Sequence, residues 1–255
     1  MPKKEEFKWF IFIIKELWMS AQYKNYQHYL IDGWKKEPKE MFKFIASKMD
    51  AIQLPDKANF LDVGCATGEF IYYLSSRFSQ FRYTGIDVFD DLILECKKLQ
   101  PEKTFLNASV LDLPKSFDKK FDIITVVSVI SIFDENELSL FWNNLFRAIK
   151  DGGVIFLLSP FNEFGVDCEI RHRKRIDNNR GDWERGWNIF CKETIIEHIE
   201  SRCNSWEFHP FKFNLNLNPR KDPVRTWTMK TEHNDKQLVN GLKLMIDHYL
   251  LQINV

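Results

Sequence analysis

The chain has 255 residues, with 36 Lys+Arg against 36 Asp+Glu and a formal net charge of +0. Charged residues at 28% and hydrophobic ones at 44% exclude a disordered or fibrous chain, and the length is enough to bury a substantial core. Zero net charge speaks against wholesale electrostatic binding of nucleic acid, which needs a basic excess.

Residues 1–57 read as two helices around a break near Asp32-Gly33, ending before Pro55. The apolar stretch from Trp9 to Ile14 is too short for a signal h-region or a membrane span. It fits an amphipathic helix packing on the body of the chain, or on a second copy as a homodimer contact. Beyond it, short apolar runs alternate with helical patterns. Asn59–Val63 reads as a strand, Glu69–Phe78 as a helix and Phe81–Val88 as a strand. Asp90–Leu99 reads as a helix with Asp90 as N-cap, and Thr104–Val110 as a short strand. The β-branched run Phe121–Val129 suits a central parallel strand covered on both faces.

Asp134 and Glu137 form a capping-box pattern ahead of a helix whose apolar face is Leu138, Phe141, Trp142, Leu145 and Ile149. Lys150-Asp151-Gly152-Gly153 is expected to end that helix, with Val154–Leu158 a buried strand. Residues 161–190 break the rhythm as a long polar excursion, and a helix follows from Lys192 to about Arg202. The strand-like runs near Trp206–Leu217, Val224–Thr231 and Asp247–Val255 suggest antiparallel pairing at one end of the sheet. Alternating strands and helices imply an α/β fold with a doubly wound, mostly parallel sheet. The resulting divisions are an N-terminal cap over 1–57, a core over 58–160, an insertion over 161–190 and a C-terminal part of the sheet over 191–255.

The five cysteines Cys65, Cys96, Cys168, Cys191 and Cys203 include no C-x-x-C pair, so no metal site is expected. Their odd number and scatter fit reduced thiols in a cytoplasmic protein.

The decisive stretch is Leu61-Asp62-Val63-Gly64-Cys65-Ala66-Thr67-Gly68-Glu69-Phe70. An apolar strand runs into a turn with two glycines and then a helix, the place where open α/β sheets bind ligands. With only 10 glycines in the chain, Gly64 and Gly68 read as positions held for a backbone reason. Nineteen residues after Gly68 the strand Tyr83–Asp87 ends in an acid suited to ribose hydroxyls. The dinucleotide pattern G-x-G-x-x-G is not met, because Ala66 stands at its second glycine and Asp62 would repel phosphate. A phosphate-free, positively charged ligand such as S-adenosylmethionine fits better.

On these residues the chain resembles the class I S-adenosylmethionine-dependent methyltransferases over about residues 58–160, which implies a seven-stranded sheet. The resemblance puts Asp62, Gly64, Cys65, Ala66, Thr67 and Gly68 on the methionine part of the cofactor and Asp87 with Val88 at the ribose. Ser109 and Val110, in the segment Ala108–Pro114, would face the adenine, although Ser109 stands where many relatives carry an acid. Val126 and Val127, at the end of the fourth strand, would face the methyl group. Many small-molecule relatives carry paired histidines just beyond; this chain has Ser131-Ile132 there.

Acceptor recognition then falls to the flanking parts. Tyr23 and Tyr26 are candidates on the N-terminal side, with His28 a candidate base. Residues 171–185 carry Arg171, Arg173, Lys174, Arg175, Arg180 and Arg185 against Asp177, Asp182 and Glu184, a local charge of +3. Arg171, Arg173, Arg175, Arg180, Trp183 and Arg185 are substrate-binding candidates, since guanidinium forks take phosphate or carboxylate and Trp can stack. His172 is a second candidate base. The Asn218–Trp227 stretch is a further basic and aromatic loop, which could border the same mouth. The pattern from Asp222-Pro223-Val224-Arg225 through Gly241-Leu242 resembles methyltransferases of bacterial surface-polysaccharide modification. The expected activity is methyl transfer, at oxygen, to a small anionic acceptor, with S-adenosylhomocysteine as product and no nucleic-acid partner. An RNA or protein methyltransferase, and a non-catalytic partner subunit of the same fold, are the alternatives.

Overall fold

A computed structural model describes residues 26–34, 37–173, 175–176, 179–212, 227–229, 237–239 and 248–255. The expected Trp9–Ile14 helix, Tyr23, Lys174 and the loop 213–226 lie outside the described residues.

In chain order the elements are α1 (His28–Asp32), α2 (Glu40–Asp50), β1 (Asn59–Val63), α3 (Glu69–Arg77), β2 (Arg82–Asp87), α4 (Asp90–Leu99) and β3 (Thr104–Asn107). Then come β4 (Phe121–Val127), α5 (Glu135–Ala148) and β5 (Ile149–Asn162). The excursion holds β6 (Arg171–His172), β7 (Arg175–Ile176), β8 (Asn179–Arg180), β9 (Glu184–Arg185) and β10 (Phe190–Cys191). The chain closes with α6 (Lys192–Ile199), β11 (Ser205–Pro210), β12 (Trp227–Met229), β13 (Gln237–Val239) and β14 (His248–Asn254).

Seven strands run in the order β11-β14-β5-β4-β1-β2-β3, with β10 added beside β5. The strands from β3 to β5 are parallel, whereas β14 lies antiparallel to both β5 and β11. Alternate strand residues feed two cores. Leu61, Ile124, Ile155 and Leu157 pack towards α5 and α6 through Leu138, Trp142, Ile195 and Ile199. Phe60, Ile123, Phe156 and Leu158 pack towards α2, α3 and α4 through Ile45, Met49, Phe70, Leu74 and Ile93. The α/β architecture is therefore a sheet between two helical layers, as expected. β1 has neighbours on both sides, β2 and β4, so the order reverses there and a crevice opens at the carboxyl ends of these strands.

Several local expectations are corrected. Phe89, not Asp90, is the N-cap of α4, and Asp90 and Asp91 sit in its first turn, where acids complement the helix dipole. α5 does carry the Asp134/Glu137 capping box, but it stops at Ala148, with Ile149 already extended. Gly152 and Gly153 instead exchange hydrogen bonds with Val255: Gly152 N donates to Val255 O at 2.7 Å and Val255 N to Gly153 O at 2.9 Å. The glycines thus seat the C-terminal strand rather than cap the helix. The run expected over 224–231 yields β12, which pairs with β13 in a separate ladder and not at the sheet edge. Among the described residues no helix is long and apolar enough to cross a membrane, and no group of three or more His, Cys, Asp or Glu could hold a metal.

Candidate active site

The turn after β1 is held in an unusual backbone. Gly64, Ala66 and Gly68 have φ of 71°, 48° and 77°, three left-handed residues within five. For Ala66 that conformation costs on the order of 1–2 kcal/mol, so the surroundings must enforce it. They do: Ala66 N donates to Asp87 Oδ2 at 2.9 Å, and Cys96 Sγ donates to Ala66 O at 3.0 Å. Gly64 N and Cys65 N both donate to Ile86 O, and Gln100 Nε2 donates to Gly68 O at 2.9 Å. Gln100 is fully buried for this purpose, and nothing in its local sequence marks it. The Cys96 partner and burial push the Cys65 thiol well up, so it packs as a neutral side chain behind the turn.

A cleft opens beside this turn. Its lining includes Gly64, Ala66, Asp87, Val88, Ser109, Val110 and Val127, seven of the twelve expected cofactor residues. The other five stand behind it. Asp62 is buried, with Thr125 Oγ1 donating to its Oδ1 at 2.8 Å. Cys65 and Val126 face the core, Gly68 begins α3, and Thr67 Oγ1 accepts from Trp34 Nε1 at 3.0 Å. Asp62 and Val126 therefore support the wall rather than form it.

Asp87 closes the end of β2. Its Oδ1 accepts from Phe89 N at 3.2 Å while its Oδ2 holds Ala66. Burial pushes its pKa up to about 6, against the opposing pull of the backbone N–H groups of Ala66, Phe89 and Val88. Ser109 lines the cleft, but its Oγ accepts from Leu111 N at 3.1 Å, so the hydroxyl caps a short 3-10 turn over Val110–Asp112. Beyond β4, Ser128 takes a left-handed φ of 59° and Val129, Ile132 and Phe133 continue the wall.

Of the N-terminal candidates, Tyr26 reaches the lining, and Tyr29, not singled out above, joins it there. Tyr26 stacks on Phe89 at 3.9 Å and 10°, and its hydroxyl donates to Asp91 Oδ2 at 3.1 Å. His28 sits on the same short helix with its ring 3.9 Å from Tyr29, outside the lining. The excursion contributes Arg185 alone. Arg185 Nη1 lies 2.5 Å from Asp134 Oδ2, and Glu137 lines the cleft beside them. Burial would raise the Asp134 carboxyl, but the Arg185 guanidinium and the α5 backbone hold it below its ordinary value. Arg171, Arg173, Arg175, Arg180, Trp183 and His172 lie outside the lining.

Asn188 sets this arrangement, and sequence reasoning missed it. Its backbone N donates to Ser131 O and its Nδ2 to Phe133 O, at 2.8 and 2.7 Å, while its Oδ1 accepts from Ile170 N at 2.7 Å. One buried amide thus ties both arms of the excursion to the turn after β4.

Residues 61–155 match the family model described as "Methyltransferase domain". That stretch, from β1 into β5, is a methyltransferase domain by this match. It is 25% identical over 125 residues to a protein named as a methyltransferase in Invertebrate iridescent virus 6, covering 48% of this chain and 45% of that one. It is 27% identical over 145 residues to the malonyl-[acyl-carrier protein] O-methyltransferase 2 of Ilyobacter polytropus, covering 56% and 54%. The chain thus spans about half the length of these relatives. A crystal structure of an S-adenosylmethionine-dependent methyltransferase from Clostridium acetobutylicum shares the fold, with a TM-score of 0.54 at 13% identity over 93% of this chain and 100% of that one.

S-adenosylmethionine supplies an electrophilic methyl group on a sulfonium. The cleft fits such a ligand. Among its lining residues the formal charges are Asp87 and Glu137 against Arg185, a net negative wall for a cation. Phe89, Leu92 and Val110 add apolar lining of the kind a planar base packs on. Gly64 is the tightest point, because a Cβ there would lie 2.4 Å from Val129 Cγ2 at a φ that L-residues avoid. Gly64→Ala is expected to cost roughly 1–3 kcal/mol of stability in denaturant unfolding and to weaken S-adenosylhomocysteine binding. Adding Val129→Ala should recover part of the loss. Unchanged binding and stability in the single variant would disprove the tight fit.

Proposed function

We propose that the protein transfers a methyl group from S-adenosylmethionine to an oxygen of a small anionic acceptor, with a carboxylate the simplest case. The observation that carries this reading is Arg185, the one cation in the described cleft lining, fixed by Asp134 beside the wall that follows β4. Guanidinium groups are the side chains best shaped to take a carboxylate or phosphate. The departing thioether is neutral and needs no acid. A carboxylate oxygen is already deprotonated and needs no base, which suits a lining where neither His28 nor His172 takes part. The work left to the chain is positioning, which can lower a barrier by on the order of 7–11 kcal/mol. Tyr26, Tyr29 and Phe133 are aromatic parts of the cleft lining that can pack on the reactants. The relative from Ilyobacter polytropus is named for O-methylation of a malonyl thioester, which also presents a carboxylate.

The test is incubation with methyl-labelled S-adenosylmethionine and separate acceptor pools: acidic small metabolites, malonyl-[acyl-carrier protein], nucleotide-linked sugars of surface-polysaccharide assembly, RNA and total protein. Label in one of the first three, lost on base hydrolysis where the product is an ester, is expected. Label in RNA or bulk protein only, or S-adenosylhomocysteine binding with no transfer to any pool, would overturn the proposal.

A further inference from the structure

Seven polar side chains stand in the cleft lining, and six of them are already engaged. Tyr26 donates to Asp91, Ser109 accepts from Leu111 N, and Glu137 accepts from Asp134 N. Asp87 holds Ala66 and Phe89, Arg185 is paired with Asp134, and Tyr29 packs on the His28 ring. Ser128 is exposed in the lining, and its hydroxyl alone has no partner among the described residues.

Ser128 also costs the fold something. Its φ of 59° lies in the left-handed region, which glycine enters freely and other L-residues enter against a steric penalty. Four residues other than glycine have such a φ among the described residues, and only Ala66 and Ser128 lie in the lining. The backbone around Ser128 is fixed from several sides. Ser128 N donates to Leu158 O at 2.8 Å, Ile132 N donates to Val129 O at 3.1 Å, and Asn188 secures Ser131 and Phe133. Val129 closes against Gly64, where an added Cβ would come within 2.4 Å of it. The Ser128 hydroxyl takes part in none of these contacts. Enforced strain on a side chain that the fold does not use is expected where a ligand is held.

We propose that Ser128 orients the acceptor: its hydroxyl donates to the carboxylate oxygen that does not react, while the other oxygen faces the methyl group. The inference rests on the reading of the cleft as a methyl-transfer site for an anionic acceptor, and it names the residue that fixes that acceptor's plane. The position agrees. Val127, one residue back, is expected at the methyl group, and the lining runs on from Ser128 through Val129, Ile132 and Phe133. The chemistry agrees as well, because a hydroxyl with no histidine or carboxylate bonded to it is a donor and not a base at neutral pH. In the transfer, a lone pair of the reacting oxygen forms the new O–CH3 bond as the methyl–sulfur bond breaks. The electron pair of that bond stays on the departing thioether, the product ester is neutral, and no proton moves. The carboxylate loses its charge along the way, so the Ser128 bond is stronger before transfer than after it. Its contribution therefore falls on acceptor binding and not on the chemical step.

The test compares the full chain with its Ser128→Ala and Ser128→Gly variants in three measurements. The first is transfer of labelled methyl to the acidic small-metabolite pool or to malonyl-[acyl-carrier protein], whichever the wild type labels. Both variants should transfer about 10- to 100-fold more slowly at dilute acceptor, the worth of a hydrogen bond to a charged group, and recover most of the rate at high acceptor concentration. The second is calorimetry with S-adenosylhomocysteine, whose affinity should not change in either variant. The third is thermal unfolding: Ser128→Gly should melt about 1–3 °C above the wild type, because glycine accepts the left-handed φ, while Ser128→Ala keeps the strain and should melt with the wild type. Undiminished transfer by both variants at dilute acceptor overturns the proposal. Weakened S-adenosylhomocysteine binding in both variants also overturns it, by placing the hydroxyl on the cofactor. A Ser128→Gly variant that melts below the wild type does so too, by assigning the hydroxyl to the fold. A wild type that binds S-adenosylhomocysteine yet labels neither acceptor instead removes the anionic-acceptor reading beneath it.

Discussion

Asp87→Ala is expected to weaken S-adenosylhomocysteine binding by at least about 100-fold, measured by calorimetry on protein whose fold is confirmed by a cooperative thermal transition. Two losses combine. A charge-assisted hydrogen bond to a ribose hydroxyl is worth about 1.5–3 kcal/mol. The same carboxylate also holds Ala66 N and Phe89 N, so without it the left-handed Ala66 loses a restraint and the turn can relax away from the ligand. Asp87→Asn separates the two contributions. Its amide oxygen can still accept from Ala66, while its NH2 faces Phe89 N and cannot accept, so it should keep the Ala66 restraint and lose the charge and the Phe89 bond, with an intermediate affinity. Equal affinities in wild type and Asp87→Ala would show that the acid at the end of β2 serves the turn alone.

The same group sets a pH dependence of binding. Burial pushes the Asp87 pKa up to about 6, and only its ionised form can accept hydroxyls with both oxygens. Affinity should therefore be flat above pH 7 and fall as pH drops through 6, approaching tenfold per unit below it. Asp87→Asn should abolish that slope.

Much of the core was legible because its signals are local. The β1 turn, the spacing to Asp87 and the Asp134/Glu137 box each depend on residues within one or two elements, and all three stand in the structure as read. What was not legible depends on contacts distant in sequence. Gln100 reaches back to Gly68 O across 32 positions, and Asn188 joins Phe133 O across 55. No periodicity announces either. The glycine pair 152–153 was misread for the same reason: its partner is Val255, at the far end of the chain.

The acceptor side shows the converse. The basic count over 171–185 is real, but composition cannot say which face of a ribbon an arginine takes. Pairing brings Arg185 alone to the cleft and sets Arg171, Arg173 and Trp183 beside it, while His172 turns to the other face. A histidine was sought as base because hydroxyl acceptors need one. The acceptor proposed above is already anionic and needs none.

Asp62 shows how stability and site design oppose each other in this fold. It is fully buried, and desolvation pushes its pKa up to about 7, with the Thr125 hydroxyl pulling the other way and the Asp87 charge adding to the rise. A carboxyl whose pKa is higher in the folded than in the unfolded chain binds its proton more tightly when folded. Stability from that proton is complete below the ordinary value of 3.8 and is lost as pH rises towards 7; Asp87 adds the same sign between 3.8 and about 6. The ligand-free protein should therefore be several kcal/mol less stable at pH 8 than near pH 5 from these two groups, at about 1.4 kcal/mol per pKa unit. Below pH 4 the trend should reverse, because Asp134 and Glu163 are held below their ordinary values by Arg185 and Lys192. Asp62→Asn keeps an oxygen for the Thr125 hydroxyl and removes the buried charge. It should flatten most of the decline between pH 5 and 8 in a series of thermal melts. A wild-type midpoint that rises over that range would mean that Asp62 is ionised at little cost, through a partner that the buried wall supplies on ligand binding or folding.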